Sequence, residues 1–419
     1  MQNGRKLISE GHLIDTGLMS KYLDVVLENG GSYELIRFDI GRTVSDFSRV
    51  EMMVTAPLPE QVARILENLT ALGCHVVEGS DQATVKPADR DGTVPDDFYS
   101  TTNHRTRVFF DGAWIDVDKQ RMDAVIVLQR LETGGYRARC VKLRDVKTGD
   151  SIVCGIKGVQ VFPPFREKGK MDFVFMNNEV SSERRVELVV AQLATAMKEI
   201  RARHGRTVVV VGPVVVHTGG SRHLGRLIRG GFVQSLLSGN AIGVHDVESA
   251  LLGTSLGVDT ATGIPVDEGH RNHMRAINAI RKSGSLRKAV ADGVLKSGLM
   301  YECIVNEVDL VLAGSIRDDG PLPDTVMDMV EAQERYAKSI EGADLVLILG
   351  TMLHGIGVGN MTPSWVRTVC VDINPATVTK LVDRGSAQAS GIVTDVGLFL
   401  RLLADELIDA EPPAGSPSA

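Results

Sequence analysis

The chain lacks most of the features that would place it outside the ordinary globular enzymes. Its five cysteines, Cys74, Cys140, Cys154, Cys303 and Cys370, are odd in number, widely spaced and never arranged as CxxC. That excludes a disulfide framework and points to a reducing cytoplasm. HExxH and clustered Cys/His spacings are missing too, so no metal is expected. Met1 to Gly17 is charged throughout and has no apolar core before a small-residue cleavage site, so it does not read as a signal peptide. The longest apolar run, Thr207 to Val216, is too short for a membrane span and contains Gly212 and Pro213. It reads as a buried strand. Positive charge is also short: a net charge of -7 and a pI near 5.9 argue against a nucleic-acid surface, which needs clustered Lys and Arg. What remains is 419 residues, 43% hydrophobic and 24% charged, enough for two or three domains with a sizeable core.

The apolar spacing divides the chain into a ferredoxin-like α+β unit over 1–81, a β-rich region over 82–180, an α/β region over 181–408 and a tail over 409–419. In the first, strands around Ser32 to Ile40 and Val50 to Ala56 precede a helix from Pro59 to Leu72. Val62, Ile65, Leu66 and Leu69 make its apolar stripe, and a strand Cys74 to Glu78 follows. In the second, short alternating runs include VFFDGAWIDV, where Asp111-Gly112 sits between two strands as in a tight hairpin, and a run Ser151 to Phe162. From Val186 a helix runs to about Gly205. After it, apolar runs at Thr207 to Val216, Phe232 to Leu237, Leu310 to Ala313, Leu345 to Leu349 and Thr368 to Val371 alternate with helix-like segments. That alternation predicts a doubly wound, mostly parallel sheet covered on both faces. The tail, rich in Pro, Gly, Ser and Ala, reads as disordered.

Ligands of such sheets bind beyond the carboxyl ends of the strands, so the residues just after each run are the candidate site. Gly350 to Ser364 offers Thr351 and His354, with Gly355, Gly357 and Gly359 read as a glycine-rich turn that lets backbone approach a phosphate. Asp372, closing the next run, is the acceptor a nucleotide ribose needs, although Asp or Asn before Pro375 also suits a turn or helix cap. Gly239-Asn240-Ala241 reads as a small-residue turn carrying an amide. Ala313 to Asp324 places Arg317, Asp318 and Asp319 together, carboxylates beside a cation that suit gripping an amine and moving a proton, or simply a solvated turn. His217 and His223 flank Gly219-Gly220, another candidate substrate loop without the GxGxxG fingerprint.

These strings, together with SEGHLIDTGLMSKYLD, FDIGRTVSDFSRVEMMV, GGSRHLGRLIRGGFVQSLLSGNAIGVHDVESALLGTSLG, AGSIRDDGPLPD and ILGTMLHGIGVGNMTPS, resemble the archaeal-type ornithine cyclodeaminase family over nearly the whole chain. That family shares its N-terminal region with lysine-oxoglutarate reductase/saccharopine dehydrogenase sequences. The later segments also resemble the nucleotide-binding layout of deoxyhypusine synthase, a Rossmann variant. The resemblance implies a cytoplasmic lyase of arginine and ornithine metabolism that converts L-ornithine to L-proline and ammonia with NAD. It implies NAD contacts at Asn240, Ala241, Asp318, Thr351, Met352, Leu353, His354, Asp372, Ile373, Asp395 and Val396, and a symmetric homo-oligomer.

The implied chemistry moves a hydride from the ornithine α-carbon to NAD, closes the ring through the δ-amine with loss of ammonia, and returns the hydride. Arg317 is the candidate carboxylate clamp, and Asp319 or His354 the candidate proton carrier. Arg42, Ser48, Arg49 and Glu51 are candidate substrate contacts from the N-terminal unit. The singled-out turns hold no lysine, which disfavours the imine-forming chemistry of deoxyhypusine synthase. Two other functions fit the same letters: a saccharopine- or opine-type amino-acid dehydrogenase, and a non-catalytic regulator that binds NAD and an amino acid.

Overall fold

The computed structural model describes the chain except residues 1–2, 15–16, 43–45, 77–81, 163–181, 260–263, 265, 267–268, 319, 385–388 and 409–419. Two compact units emerge: Met1–Asp172 with Asn360–Trp365 and Ser386–Gln388, and Phe173–Gly359 with Val366–Gly385 and Ala389–Ala419. Asp319, the tail and the junction read near residue 180 lie outside the described residues.

The first unit begins β1 (Asn3–Gly11), α1 (Leu18–Glu28), β2 (Ser32–Asp39), β3 (Ser48–Ala56), α2 (Pro59–Ala71) and β4 (His75–Val76). The strands pair antiparallel in the order β2-β3-β1-β4, a complete ferredoxin-like βαββαβ sandwich. Sequence periodicity locates β2, β3, α2 and β4 but passes over β1 and α1. The α1 helix has Gly17 at its N-cap, no capping side chain and no acidic residue in its first turn, so its start carries no signal; its stripe of Met19, Tyr22 and Val26 is buried all the same. Strand β3 alternates buried positions with partly buried or exposed ones, and Leu7, Met52, Ile65 and Leu69 close the core between sheet and helices.

Next come β5 (Thr84–Pro87), β6 (Arg105–Phe110), β7 (Ala113–Asp118), β8 (Val125–Arg130), β9 (Tyr136–Val141), β10 (Ser151–Cys154) and β11 (Val159–Phe162), in the order β11-β6-β7-β9-β8-β10-β5. Asp111 and Gly112 both take positive φ, 52° and 77°, which makes the β6–β7 connection a tight hairpin of the expected kind. The run Ser151 to Phe162 is not one strand: Gly155 and Gly158 turn the chain at positive φ, and β10 and β11 join distant parts of the sheet.

The second unit contains α3 (Ser182–Ala202), β12 (Thr207–Val211), α4 (Val214–His217), α5 (Gly220–Arg229), β13 (Ser235–Gly239), α6 (Asn240–Leu252), the two-residue strands β14 (Thr254–Ser255) and β15 (Val258–Asp259), α7 (Asn272–Ser283), α8 (Leu286–Ala291), α9 (Leu299–Val305), β16 (Asp309–Ala313), β17 (Thr325–Val326), α10 (Met329–Ile340), β18 (Leu345–Leu349), α11 (Leu353–Met361), β19 (Arg367–Asp372), α12 (Pro375–Arg384), β20 (Ala389–Val393) and α13 (Val396–Leu407). Seven strands pair in parallel in the order β17-β16-β13-β12-β18-β19-β20. Strands β12 and β18 are buried at every position, because helices cover both faces.

Three local expectations change. The apolar run Thr207 to Val216 ends as a strand at Val211, since Pro213 sits at φ -57° and ψ -24° and starts a helical turn. The run at Phe232 pairs only from Ser235; Phe232 and Val233 are buried in the approach to the strand. The segment read as a glycine-rich turn is largely helix α11.

Candidate active site

A doubly wound sheet has one crevice where crossovers leave in opposite directions, and ligands bind there beyond the strand ends. In this sheet it lies between β12 and β18: β13, β16 and β17 fill one side of β12, and β18, β19 and β20 the other. The strands end in step. Gly212 N donates to Leu349 O at 2.9 Å, Gly350 N to Val371 O at 2.9 Å and Thr394 N to Asp372 O at 3.2 Å. Gly212 and Gly350 form the neck of the crevice. A Cβ on Gly212 would overlap the carbonyl oxygen of Gly350, while Gly350 has φ +57° and a Cβ there would overlap Val214.

Most residues singled out from the sequence lie along this rim, but several take other roles than expected. Asn240 and Ala241 open helix α6 rather than forming a turn. Asn240 Nδ2 donates to Asp318 Oδ1 at 2.6 Å, and its Oδ1 accepts from Leu322 N at 3.1 Å and Thr325 Oγ1 at 2.9 Å. The amide thus ties α6 to the β16–β17 connection. Asp318 also accepts from Ser315 Oγ at 3.0 Å, and the exposed Arg317 follows in the same turn. Thr351 Oγ1 and His354 Nδ1 lie 3.3 Å apart. The His354 ring packs on Gly239, where a Cβ would come within 3.0 Å of Cε1, and lies 6.3 Å from the Tyr336 ring, whose hydroxyl donates to Ser238 O at 2.6 Å. Asn240, Asp318, Thr351 and His354 therefore form one connected patch around Gly239.

Asp372 closes β19, one strand further along. Its Oδ1 accepts from Asn374 N at 2.8 Å, and no hydrogen bond reaches Oδ2 among the described residues. The helix cap foreseen near Pro375 is Asn374, whose Oδ1 accepts from Ala376 N at 2.9 Å. Asp395 is the N-cap of α13, accepting from Leu398 N at 2.8 Å, and Val396 is buried beside Gly350. Met352, Leu353 and Ile373 are exposed at 44%, 77% and 67%, apolar surface that a bound ligand would cover. Of the three glycines expected to approach a phosphate, Gly355 serves helix–sheet packing instead: a Cβ would sit 2.9 Å from Ile348 Cγ2.

The N-terminal candidates pair within their own sheet. Glu51 lies 2.9 Å from Lys6 Nζ and 3.2 Å from Arg49 Nη2, and the Lys6 hydrogen bond pulls its carboxyl below the usual range. Ser48 Oγ accepts from Gly41 N and Asp46 Oδ2 from Arg42 N, each at 3.1 Å.

Sequence reading singles out His217 but not the cluster it belongs to, next to the rim. His217 ends α4, and its Nδ1 shares a 3.1 Å hydrogen bond with Ser255 Oγ. His245, from α6, places its ring 4.9 Å from that of His217. Glu248, one turn further along α6 and fully buried, accepts from Thr254 Oγ1 at 2.8 Å, Gly257 N at 3.0 Å and Leu256 N at 3.1 Å. Burial lowers all three rim imidazoles, His217, His245 and His354; for His245 burial and the charges of His217, His273 and Arg317 bring it down to about 4. Only His217 had a sequence signal, its place after a strand. Glu248 and Ser255 carry none, because a helix and a two-residue strand bring them together. Among the described residues no three His, Cys, Asp or Glu side chains gather as a metal site.

Three family patterns match end to end: the LOR/SDH bifunctional enzyme conserved region over residues 5–104, the first C-terminal region of ArgZ-like arginine dihydrolases over 105–190, and their C-terminal Rossmann fold over 191–403. The chain is 50% identical over 402 residues to the bifunctional arginine dihydrolase/ornithine cyclodeaminase AgrE of Nostoc, covering 95% of this chain and 57% of AgrE. It thus spans little more than half of that relative. It is 48% identical over 410 residues to the ornithine cyclodeaminase of Methanocaldococcus jannaschii, covering 96% of each. Among solved structures, the apo form of the cyanobacterial arginine dihydrolase ArgZ superposes with a TM-score of 0.84 at 45% identity, over 97% of this chain and 58% of ArgZ. The ternary complex of AgrE with ornithine and NAD+ gives 0.52 at 48% identity, over 97% and 57%.

Proposed function

Because the chain belongs to the ArgZ-like ornithine cyclodeaminase family, we propose that it is an NAD-dependent ornithine cyclodeaminase, converting L-ornithine to L-proline and ammonia. The observation that carries this reading is the glycine-necked crevice at the switch point of the parallel sheet, with an acidic side chain closing the adjoining strand. A nicotinamide dinucleotide fits those residues: Gly212 and Gly350 leave room for close approach, Oδ2 of Asp372 is available to a ribose hydroxyl, and the exposed Met352, Leu353 and Ile373 offer apolar cover. A carboxylate in that place repels a 2′-phosphate, which favours NAD over NADP. Bound there, NAD would accept a hydride from the substrate α-carbon and give it back, so that none is consumed.

The protein's own part is to bind, orient and manage protons. Arg317 holds the α-carboxylate, Asp319 and His354 are candidate proton carriers, and cofactor contacts fall on Asn240, Ala241, Asp318, Thr351 to His354, Asp372, Ile373, Asp395 and Val396. For Asn240 and Asp395, whose side chains hold neighbouring backbone, those contacts come through the main chain. In this reading 181–408 holds the cofactor, preceded by the ferredoxin-like 1–81 and the β-rich 82–180, with a tail at 409–419. Five free, buried cysteines support a cytoplasmic setting, and among the described residues no helix is long and apolar enough to cross a membrane. The edge strand β2, exposed along almost its whole length and bearing Tyr33, Leu35 and Ile36, supports a homo-oligomer.

Incubation with ornithine and substoichiometric NAD should release proline and ammonia in equal amounts without net NADH. Accumulation of NADH in step with substrate would instead indicate an amino-acid dehydrogenase, and absence of proline at every pH would overturn the reading.

A further inference from the structure

Ring closure sets a proton problem of its own, beyond the candidate carriers Asp319 and His354 named above. An alkylammonium has a pKa of about 10, so at neutral pH the δ-nitrogen of ornithine arrives without a lone pair. It must lose a proton before it attacks the α-carbon. The nitrogen leaving that carbon must gain one. A single group that is neutral at the start and sits at the rim can do both, returning to its initial state with no net proton consumed.

The three rim imidazoles differ in their fitness for this. His245 is held near 4, too low to keep a proton at neutral pH, and its buried Nδ1 has no hydrogen-bond partner among the described residues. His354 lies against Gly239 and Tyr336, with Nδ1 toward Thr351. His217 is exposed at the end of α4, and Ser255 engages its Nδ1, which leaves Nε2 as the nitrogen that exchanges protons. A serine hydroxyl both donates and accepts, so it satisfies Nδ1 whether the ring is neutral or protonated.

The support behind Ser255 is unusual for a surface hairpin. The turn joining β14 and β15 places Leu256 at φ 53°, a conformation that bulky side chains avoid, followed by Gly257 at 73°. The buried carboxylate of Glu248 accepts the N–H groups of both turn residues and the hydroxyl of Thr254, which in turn accepts from Asn272 Nδ2 at 2.9 Å. Strain of this kind persists only where the surroundings over-determine it. Here they fix the serine against which the imidazole rests.

We propose that His217 carries the proton of the cyclisation and that Glu248 is a positioning residue, acting through the 254–257 turn and Ser255. The proposal rests on the cyclodeaminase reading. With the α-carbon at the imine oxidation level, Nε2 takes a proton from the δ-ammonium. The freed lone pair forms the new carbon–nitrogen bond, and the iminium π electrons move onto the α-nitrogen. His217 then passes its proton to the α-nitrogen and takes one from the new ring nitrogen, whose lone pair breaks the old carbon–nitrogen bond. The ammonia leaves with that second proton as ammonium, His217 is neutral again, and a protonated cyclic imine remains. Among the described residues, the charged and titratable groups around His217 are Glu248 and His245 from α6, with Arg317 and His273 acting on His245.

The test compares the full-length wild type with His217→Gln and Glu248→Gln. In the protein without substrate or cofactor, NMR of the imidazole C2 protons should show one resonance, lost in His217→Gln, titrating below the ordinary histidine value and displaced in Glu248→Gln. NAD titration should give the same affinity in all three within about twofold, which also certifies folding. With ornithine, His217→Gln should lower kcat by roughly 100-fold or more at little cost in KM, abolish the acidic limb of the pH profile and recover in part with added imidazole. Glu248→Gln should lower kcat less and move that limb. A His217→Gln enzyme with kcat within threefold of wild type, or with the acidic limb intact, overturns the assignment. A wild type that binds NAD and makes no proline overturns the cyclodeaminase reading, and this one with it.

Discussion

The two edges of the parallel sheet carry similar residue types and use them oppositely. At the amino-terminal edge the charges are tied down: Arg206 Nη2 donates to Ser235 Oγ at 2.6 Å and to Asp309 Oδ2 at 3.1 Å, Ser339 Oγ donates to the same carboxylate, and Asp344 accepts from Arg206 N at 2.8 Å and Arg203 Nη2 at 2.7 Å. At the carboxyl edge one oxygen of Asp372 is unengaged among the described residues, Arg317 stands exposed, and three imidazoles are pushed toward neutrality. The first pattern is what stability asks of charges, pairing them where strands begin. The second leaves polar groups under-used where a ligand can complete them.

The comparison breaks most visibly at the neck. Gly212→Ala forces a methyl against the Gly350 carbonyl and should cost about 3 kcal/mol or more while abolishing NAD binding, read by urea unfolding and cofactor titration. Retention of both would mean that the strands separate there at little cost. A paired experiment sharpens the contrast between edges. Asp344→Ala, which strands a backbone N–H and an arginine, should lose roughly 1–2 kcal/mol of stability with NAD affinity intact. Asp372→Ala should weaken NAD by about tenfold with little change in stability, since among the described residues its carboxylate accepts only the local bond from Asn374 N. Equal effects of the two would erase the division of labour.

The smallest effect lies in the pH dependence. A histidine whose folded-state pKa is depressed lets the unfolded chain bind the proton first, so the stability it confers is complete above about 6.5 and is lost as pH falls toward its folded value. For His245 that window runs from the ordinary value down to about 4. His104 in the first unit, brought to about 4 by burial alone, contributes a slope of its own. Urea midpoints for wild type and His245→Gln between pH 7 and 4 should therefore both fall, the variant less steeply. Parallel curves would show that the rim does not hold His245 neutral.

Much of this was legible in the letters. Continuous apolar runs such as LVLIL announce strands covered on both faces, and the residues just after them mark the rim whatever the details of the turns. The letters were less informative where small residues have two uses. The glycines after Leu349 read as a phosphate turn, yet Gly355 lies in α11 because the helix must approach Ile348 closely. Asn240 is singled out by its position and Asp395 by the family resemblance alone, and the side chain of each accepts a backbone N–H, of Leu322 and of Leu398.

The sequence by itself determined the sheet, its covered strands and the line of residues at its carboxyl edge, because these follow from hydrophobic periodicity and from where each run stops. Tertiary structure alone decided which of those residues stand together. His217, Ser255 and Glu248 come from a helix end, a two-residue strand and a different helix, and no local pattern connects them. Proton-handling geometry depends on distances across the chain, and such distances are fixed only when the crossovers pack.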